Sequence, residues 1–410
     1  MCYTIFGYMI LRELSIGGTI MRILRIVPMF TKTGAVDAYI PQLEGFSRMD
    51  ELEALHRISK AVPQKKWAFV QNCLPREYSG ILVTNDGGVE RAREVRDAGL
   101  SVIGYNLEPR LGVKELLDKC NAVAMDIHNP QRDQLVSLLN IYTTPATNRI
   151  ALCVNSIEDY RTYVNQGFDY FIGDFYTKAV IGSNRASAQL GPIQANKLAV
   201  LSEVTKWEQE SRDNVAKIAQ IIQRDVFLTL SLIKMANSAF FGTIRKIDEL
   251  KDAIIRIGMD NLTKWSIAIL STAITEEKTP EIARVALVRA RFMENLAAWF
   301  AKSRWLSFFT GLASVSGVML GMPLESALKE MRAPPEVSEH LNFQSDIGRL
   351  YGIVTNYISG DITAMERFLD GDAALAERLH VAYISAELWV ADILKSIDQQ
   401  SLEMEKRSTE

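Results

Sequence analysis

Histidine and cysteine are scarce in this 410-residue chain, which holds four of each. The cysteines, Cys2, Cys73, Cys120 and Cys153, are widely spaced, with no CxxC pair. That spacing excludes a disulfide-stapled miniature fold and predicts four reduced thiols, as in a cytoplasmic protein. There is no HExxH, no GxGxxG after a strand, no GxxxxGK[ST] and no GxSxG. Zincin, dinucleotide, P-loop and serine-hydrolase readings therefore lack their ligands, phosphate cradles or nucleophile. An excess of charge of either sign is also missing: 46 basic side chains face 49 acidic ones, for a net charge of -3. Bulk attraction to nucleic acid or anionic lipid is excluded on that balance. Long apolar runs are absent as well. The opening stretch MCYTIFGYMILRELSIGG is too short to span a bilayer, and it has neither a basic start nor a small-residue cleavage pattern, so neither a membrane anchor nor a secretion signal is expected.

What remains is an ordinary globular composition, 48% hydrophobic and 23% charged, with enough apolar residues to fill large cores. At about 150 residues per domain, the length calls for two or three of them. Residues 1–20 read as an N-terminal extension, with a strand opening at Met21. From there to about Asn184, apolar runs alternate with amphipathic segments: ILRIV, WAFVQ, GILVT, SVIGYN, AVAMDI, RIALCV and YFIGDF. That alternation predicts an α/β domain over 21–184, built on a parallel sheet, open or barrel-like. The polar stretch SNRASAQLGP breaks the pattern, and residues 185–192 read as a linker. Residues 193–400 carry helical periods almost throughout and predict an all-α domain of about ten helices. Pro280 and Pro323 mark helix starts, and Gly242 and Gly258 mark ends. The charged tail 401–410 is expected to fray.

The stretch DVFLTLSLIKMANSAFFG, Asp225 to Gly242, places apolar side chains at helical spacing and closes on small residues and phenylalanines. It resembles the signature of HDOD domains, with Asp225 before the helix, Asn237 and Ser238 at its end, and Phe241-Gly242 as the stop. AIIRIGMDNLTKW, which contains Gly258 and Trp265, RARFMENLA and the block Phe308 to Met331 follow in the family's order. The last block is like that of a subgroup in which the HDOD domain follows an EAL-like one. Related HD phosphohydrolases hold metal with histidines and a His-Asp pair. None of His56, His128, His340 and His380 precedes an aspartate, and Leu312-Ala313-Ser314 stands where the pair would fall. By that resemblance no metal is held there. Asn237 reads as a helix-end hydrogen bonder, with a docking surface as the alternative. The aromatic residues Phe240, Phe241, Trp265, Trp299, Trp305, Phe308 and Phe309 read as core.

The first half resembles a degenerate EAL domain. GFDYFIGDFYTKA looks like that family's closing block, retaining Gly173 and Lys178 but with Ile172 in place of glutamine. AVAMDI, with Asp126, looks like a strand that carries a Lys-Ile-Asp triplet. EAL phosphodiesterases cleave cyclic di-GMP with carboxylate-held metals. Matched to this chain, the name-giving glutamate falls within Leu82 to Asn85, the metal asparagine near Gln71, the paired aspartates at Tyr105-Asn106, the lysine at Ala124 and a later glutamate near Asn155. Only Asp126 survives. The resemblance therefore implies an incomplete, TIM-like EAL barrel without catalysis or cofactor. It implies a signalling protein that acts on other signalling proteins, with self-association possible, in cyclic di-GMP-linked control such as motility or biofilm. Two alternatives stand beside it: a cyclic di-GMP receptor without turnover, and an active phosphodiesterase using Asp86, Glu90 and Glu108 as ligands. Turn chemistry at Asp86-Gly87-Gly88 and a solvated helix face at Glu90 weigh against the second.

Overall fold

The computed structural model describes residues 15–16, 19–20, 22–44, 53, 56–57, 80–83, 88–97, 101–110, 112–144, 146–177, 192–210, 215–237, 246–275, 280–300 and 302–409. The chain forms two compact units. One holds Met1–Leu55, Gln64–Lys178 and Thr355–His380; the other holds His56–Pro63, Ala179–Val354 and Val381–Glu410. Residues 355–380, expected within the helical half, thus group with the sheet. A break in composition marks where a pattern changes and cannot reveal a later segment that returns to the first core.

The first unit begins with a short pair, β1 (Ser15–Ile16) and β2 (Thr19–Ile20), followed by the hairpin of β3 (Ile23–Thr31) and β4 (Val36–Glu44). Strand–helix alternation then gives β5 (Gly80–Val83), α1 (Gly88–Asp97), β6 (Ser101–Tyr105), α2 (Val113–Leu117), β7 (Ala122–Asp126), α3 (Arg132–Tyr142), β8 (Asn148–Leu152), α4 (Ile157–Asn165) and β9 (Tyr170–Ile172). One sheet of seven strands results, in the order β4-β3-β9-β8-β7-β6-β5. Strands β5 to β9 are parallel, as their two-sided apolar runs predict. Strand β3 runs antiparallel to both β9 and β4, which corrects the expectation of a parallel sheet throughout. The reason is local: Lys32 to Ala35, with Gly34 at φ 81°, makes a tight reversal that joins only antiparallel neighbours. β4 and β5 are the two ends of this sheet, and among the described residues no ladder joins them into a barrel. WAFVQ lies outside the described residues.

The core of this unit is aliphatic at β7 and β8, where Val123, Ala124, Met125 and Ala151 are fully buried. Tyr160 stacks on Phe175 at 4.7 Å and meets Phe171 edge-on at 4.7 Å. Cys120 is free and buried, but Cys153, at φ 62°, is disulfide-bonded, a correction to the expectation of four reduced thiols. Sequence spacing does not report which sulfurs meet in space.

The second half is helical: α5 (Pro192–Glu210), α6 (Val215–Gln223), α7 (Val226–Ala236), α8 (Leu250–Ile257), α9 (Met259–Thr275), α10 (Pro280–Ala297), α11 (Arg304–Ala313), α12 (Ser316–Leu320), α13 (Leu324–Glu330), α14 (Glu336–Leu341), α15 (Asp346–Ser359), α16 (Ile362–Leu369) and α17 (Ala373–Thr409). These thirteen among the described residues exceed the expected ten because α12 to α14 are too short to show a periodic face. α10 and α11 are in especially close contact. A Cβ at Gly311 would lie 2.7 Å from the Ala290 backbone, so only glycine allows that approach. Residues 401–409, expected to fray, continue α17, in keeping with the helix-favouring Leu, Glu, Met, Lys and Arg of the segment.

Candidate functional site

In an open α/β sheet, chemistry gathers at the carboxyl ends of the parallel strands, where loops leave the rigid core. Strand β6 delivers Tyr105 and Asn106 there, β7 delivers Asp126, and β9 delivers Gly173. Asn106 sits in the left-handed region at φ 40°, a conformation asparagine tolerates. Its amide donates to Ala124 O at 3.0 Å, and its Oδ1 accepts from Asp126 N at 2.8 Å. Asp126 Oδ1 in turn accepts from His128 N at 2.9 Å, closing a turn out of β7. The side chain that the sequence singles out is therefore shaping a loop. Beside it, burial first and the Asp126 charge second push the Tyr105 hydroxyl above its ordinary range.

Gly173 is explained by contact. A Cβ there would lie 1.9 Å from Val154 O, so the backbone leaving β9 passes too close to the β8 exit for any side chain. Lys178, Asp86, Gln71, Asn85 and the side chains of 82–83 lie outside the described residues. Glu90 is exposed on α1, and Glu108 pairs with Arg110 at 3.7 Å, both surface-exposed. Among the described residues no three His, Cys, Asp or Glu side chains are grouped to hold a metal ion.

In the helical unit, Asp225 is the N-cap of α7. Its Oδ1 accepts from Leu228 N at 2.8 Å, and Lys197 Nζ lies 2.6 Å from Oδ2 with both side chains nearly buried. Asn237 ends the same helix and braces a loop. Its Nδ2 donates to Ile233 O at 3.0 Å and Ile247 O at 2.7 Å, while its Oδ1 accepts from Ile247 N at 2.8 Å. It thus clamps both ends of the segment between residues 237 and 247. Ser238, Phe240, Phe241 and Gly242 lie outside the described residues. Gly258 joins α8 to α9 at φ 77°, ψ 152°, a region essentially closed to side-chain-bearing residues. Trp265 is buried and its ring lies 5.3 Å from that of Trp389. Phe308 and Phe309 are buried too, but Trp299 is 51% exposed, against its expected place in the core.

Leu312 and Ala313 are fully buried in α11, and Ser314 Oγ donates to Gly311 O and accepts from Arg289 Nη1 at 3.2 Å. His340 is buried on α14 with Nδ1 2.6 Å from Ser345 Oγ, while His128 is exposed. Arg289, Arg291 and Glu294 read in the sequence as a helix-face charge set, solvated or bridging helices, but the full extent of two charged clusters was missed. Glu294, with no exposed surface, meets Lys264 and Arg291, and the buried Arg284 meets both Glu281 and Glu387. Each cluster has one pair three positions apart on α10, Arg291 with Glu294 and Glu281 with Arg284, but Lys264 and Glu387 come from far along the chain, so spacing could not announce the full sets.

Residues 197–331 match the HDOD domain. The HDOD segment takes in Asp225, Asn237, Gly258, Trp265 and both flanks of α10 and α11. Two curated proteins are similar over longer stretches. Uncharacterized protein YuxH of Bacillus subtilis is 23% identical over 288 residues, 69% of this chain and 68% of that one. Cyclic di-GMP phosphodiesterase CdgJ of Vibrio cholerae is 21% identical over 247 residues, 60% of this chain but only 56% of CdgJ. Among solved structures, an EAL domain protein from Listeria monocytogenes is 11% identical, with 38% of this chain and 87% of that one covered at a TM-score of 0.28. A candidate signal transduction protein from Marinobacter aquaeolei is 12% identical, with 91% and 93% covered at a TM-score of 0.38. At these scores neither structure carries a functional argument. Among the described residues, no helix is long and apolar enough to cross a membrane.

Proposed function

We propose that this chain is a cytoplasmic signalling protein without catalysis, in which an EAL-derived domain and an HDOD domain present surfaces to other signalling proteins in cyclic di-GMP-linked regulation such as motility or biofilm control. The observation that carries this reading is the carboxyl edge of β6 and β7. By the sequence resemblance, Tyr105, Asn106 and Ala124 fall where an EAL phosphodiesterase would need two aspartates and a lysine, and the Asp126 carboxylate accepts from His128 N in a turn. A hydroxyl, an amide and a methyl cannot neutralise a divalent ion or orient an attacking water as carboxylates and an ammonium do. The buried Leu312-Ala313 pair supports the same reading of the HDOD segment.

The similarity to CdgJ favours a second reading, turnover of cyclic di-GMP. Titration calorimetry of the full chain with cyclic di-GMP, with and without Mg²⁺, followed by chromatography of the nucleotide, separates the two. We expect no product. Binding without product makes the chain a receptor, and linear product formation that needs Mg²⁺ overturns the proposal.

A further inference from the structure

Glu294 on α10 has no exposed surface, and three cations converge on it. Lys264 of α9 contacts Oε1, Arg291 Nη1 lies 2.7 Å from Oε2, and Arg304 Nη2 lies 3.7 Å from Oε1. Among the described residues, Glu294 is the only carboxylate within ion-pair range of any of the three. One negative charge therefore faces three positive ones. Lys264 and Arg291 keep only 11% and 20% of their side-chain surface in water, so solvent screens these two charges poorly, while Arg304 adds a third at the solvent side.

An unused donor lies within the cluster and a second lies two rings away from it. Arg291 Nε is buried with no acceptor, and so is the indole Nε1 of Trp305. Aromatic contacts join the two residues: Trp305 stacks near Phe308 at 6.3 Å, Phe308 meets Trp389 edge-on at 6.0 Å, and Trp389 lies 5.4 Å beneath the Arg291 guanidinium. Arg304, 63% exposed, opens the cluster to solvent. It is also the first residue of α11, where the helix carries its positive end.

We propose that Lys264, Arg291 and Arg304 form a binding site for a phosphate group. The excess of two charges matches a phosphate dianion, whereas a carboxylate would neutralise only half of it. Two guanidinium forks and an ammonium suit a tetrahedral oxyanion with several acceptor oxygens. Glu294 holds the three cations together while the site is empty and competes with the ligand for them.

The test is calorimetric titration of the full chain with inorganic phosphate at pH 8, at ionic strength held constant with sodium chloride. Saturable binding is expected. Arg304→Ala, at an exposed position with a long contact, should keep the unliganded melting temperature and weaken phosphate by about tenfold or more. Glu294→Gln should lower the unliganded melting temperature and bind phosphate more tightly than the parent, a gain that a purely structural ion cluster would not give. A parallel titration with GMP and guanosine distinguishes the source. GMP tighter than phosphate, with guanosine inert, assigns the phosphate to a nucleotide, and equal affinities assign it to the free ion. Equal binding by Arg304→Ala and the parent, or a response that sodium chloride alone reproduces, overturns the site. None of these readouts depends on cyclic di-GMP or on turnover.

Discussion

The Tyr357 hydroxyl accepts from Leu24 N at 2.9 Å and donates to Leu24 O at 2.8 Å, closing both backbone groups of a residue 333 positions away. Leu24 lies in β3 before the part of that strand, Met29 to Thr31, that pairs with β9. Its outward N–H and C=O would otherwise be buried without a strand to meet. Tyr357→Phe removes one oxygen and orphans two backbone groups, so a loss of about 2–3 kcal/mol is expected. Urea unfolding should show it, and hydrogen exchange should quicken at the Leu24 amide.

Asn237 is a brace, and its replacement separates the two readings of its role. Asn237→Ala should cost about 1–3 kcal/mol, because both backbone groups of Ile247 lose their partner. Asn237→Asp should not restore stability, since a carboxylate cannot donate to Ile233 O or Ile247 O. Unchanged melting of both variants would leave docking as the reason for that asparagine.

Arg284 is 7% exposed and lies between Glu281 and Glu387, the latter also accepting from the Tyr383 hydroxyl. Arg284→Met leaves two buried carboxylates facing each other, with an expected loss of about 3–5 kcal/mol. Glu387→Gln keeps one full ion pair and a hydrogen-bond acceptor, and should cost clearly less. Chemical denaturation of the two variants gives the ordering.

Burial holds the His340 imidazole below its ordinary value of 6.5, although Glu336 and Glu339 pull the other way. The fold therefore favours the neutral ring, and the unfolded chain binds the extra proton first. Stability is fully present above pH 6.5 and falls as the pH drops from there towards the depressed folded value. Melting temperatures from pH 7.5 to 5 should fall more steeply for the parent than for His340→Gln. Identical slopes would show that His340 does not contribute.

Strands and long helices were legible because burial imposes period: Val123 to Met125 read as a two-sided strand, and Ile254 and Ile257 as one face of a helix. The resemblance around Asp225 and Asn237 also led to residues that the structure uses, though as cap and brace. What stayed hidden depends on distance in space. β4 interrupts its apolar run with Asp37, Pro41 and Gln42, the Tyr357 contact closes 333 residues of chain, and the cations around Glu294 come from three helices. Asp126 was visible as a lone acid, and its bond to His128 N has the two-residue spacing of an aspartate turn, but the Asn106 side chain that accepts from its amide comes from 20 residues away, which no spacing rule connects to it.

The hairpin carries one more consequence. Leu24 directs its backbone groups away from β4, so Ile26, two residues on, does the same, and its partner Pro41 faces outward at the rim of the sheet. Proline has no amide hydrogen to offer there. Among the described residues no further strand pairs with β4, and one that approached there would find a missing rung at Pro41, a feature that opposes edge-to-edge growth.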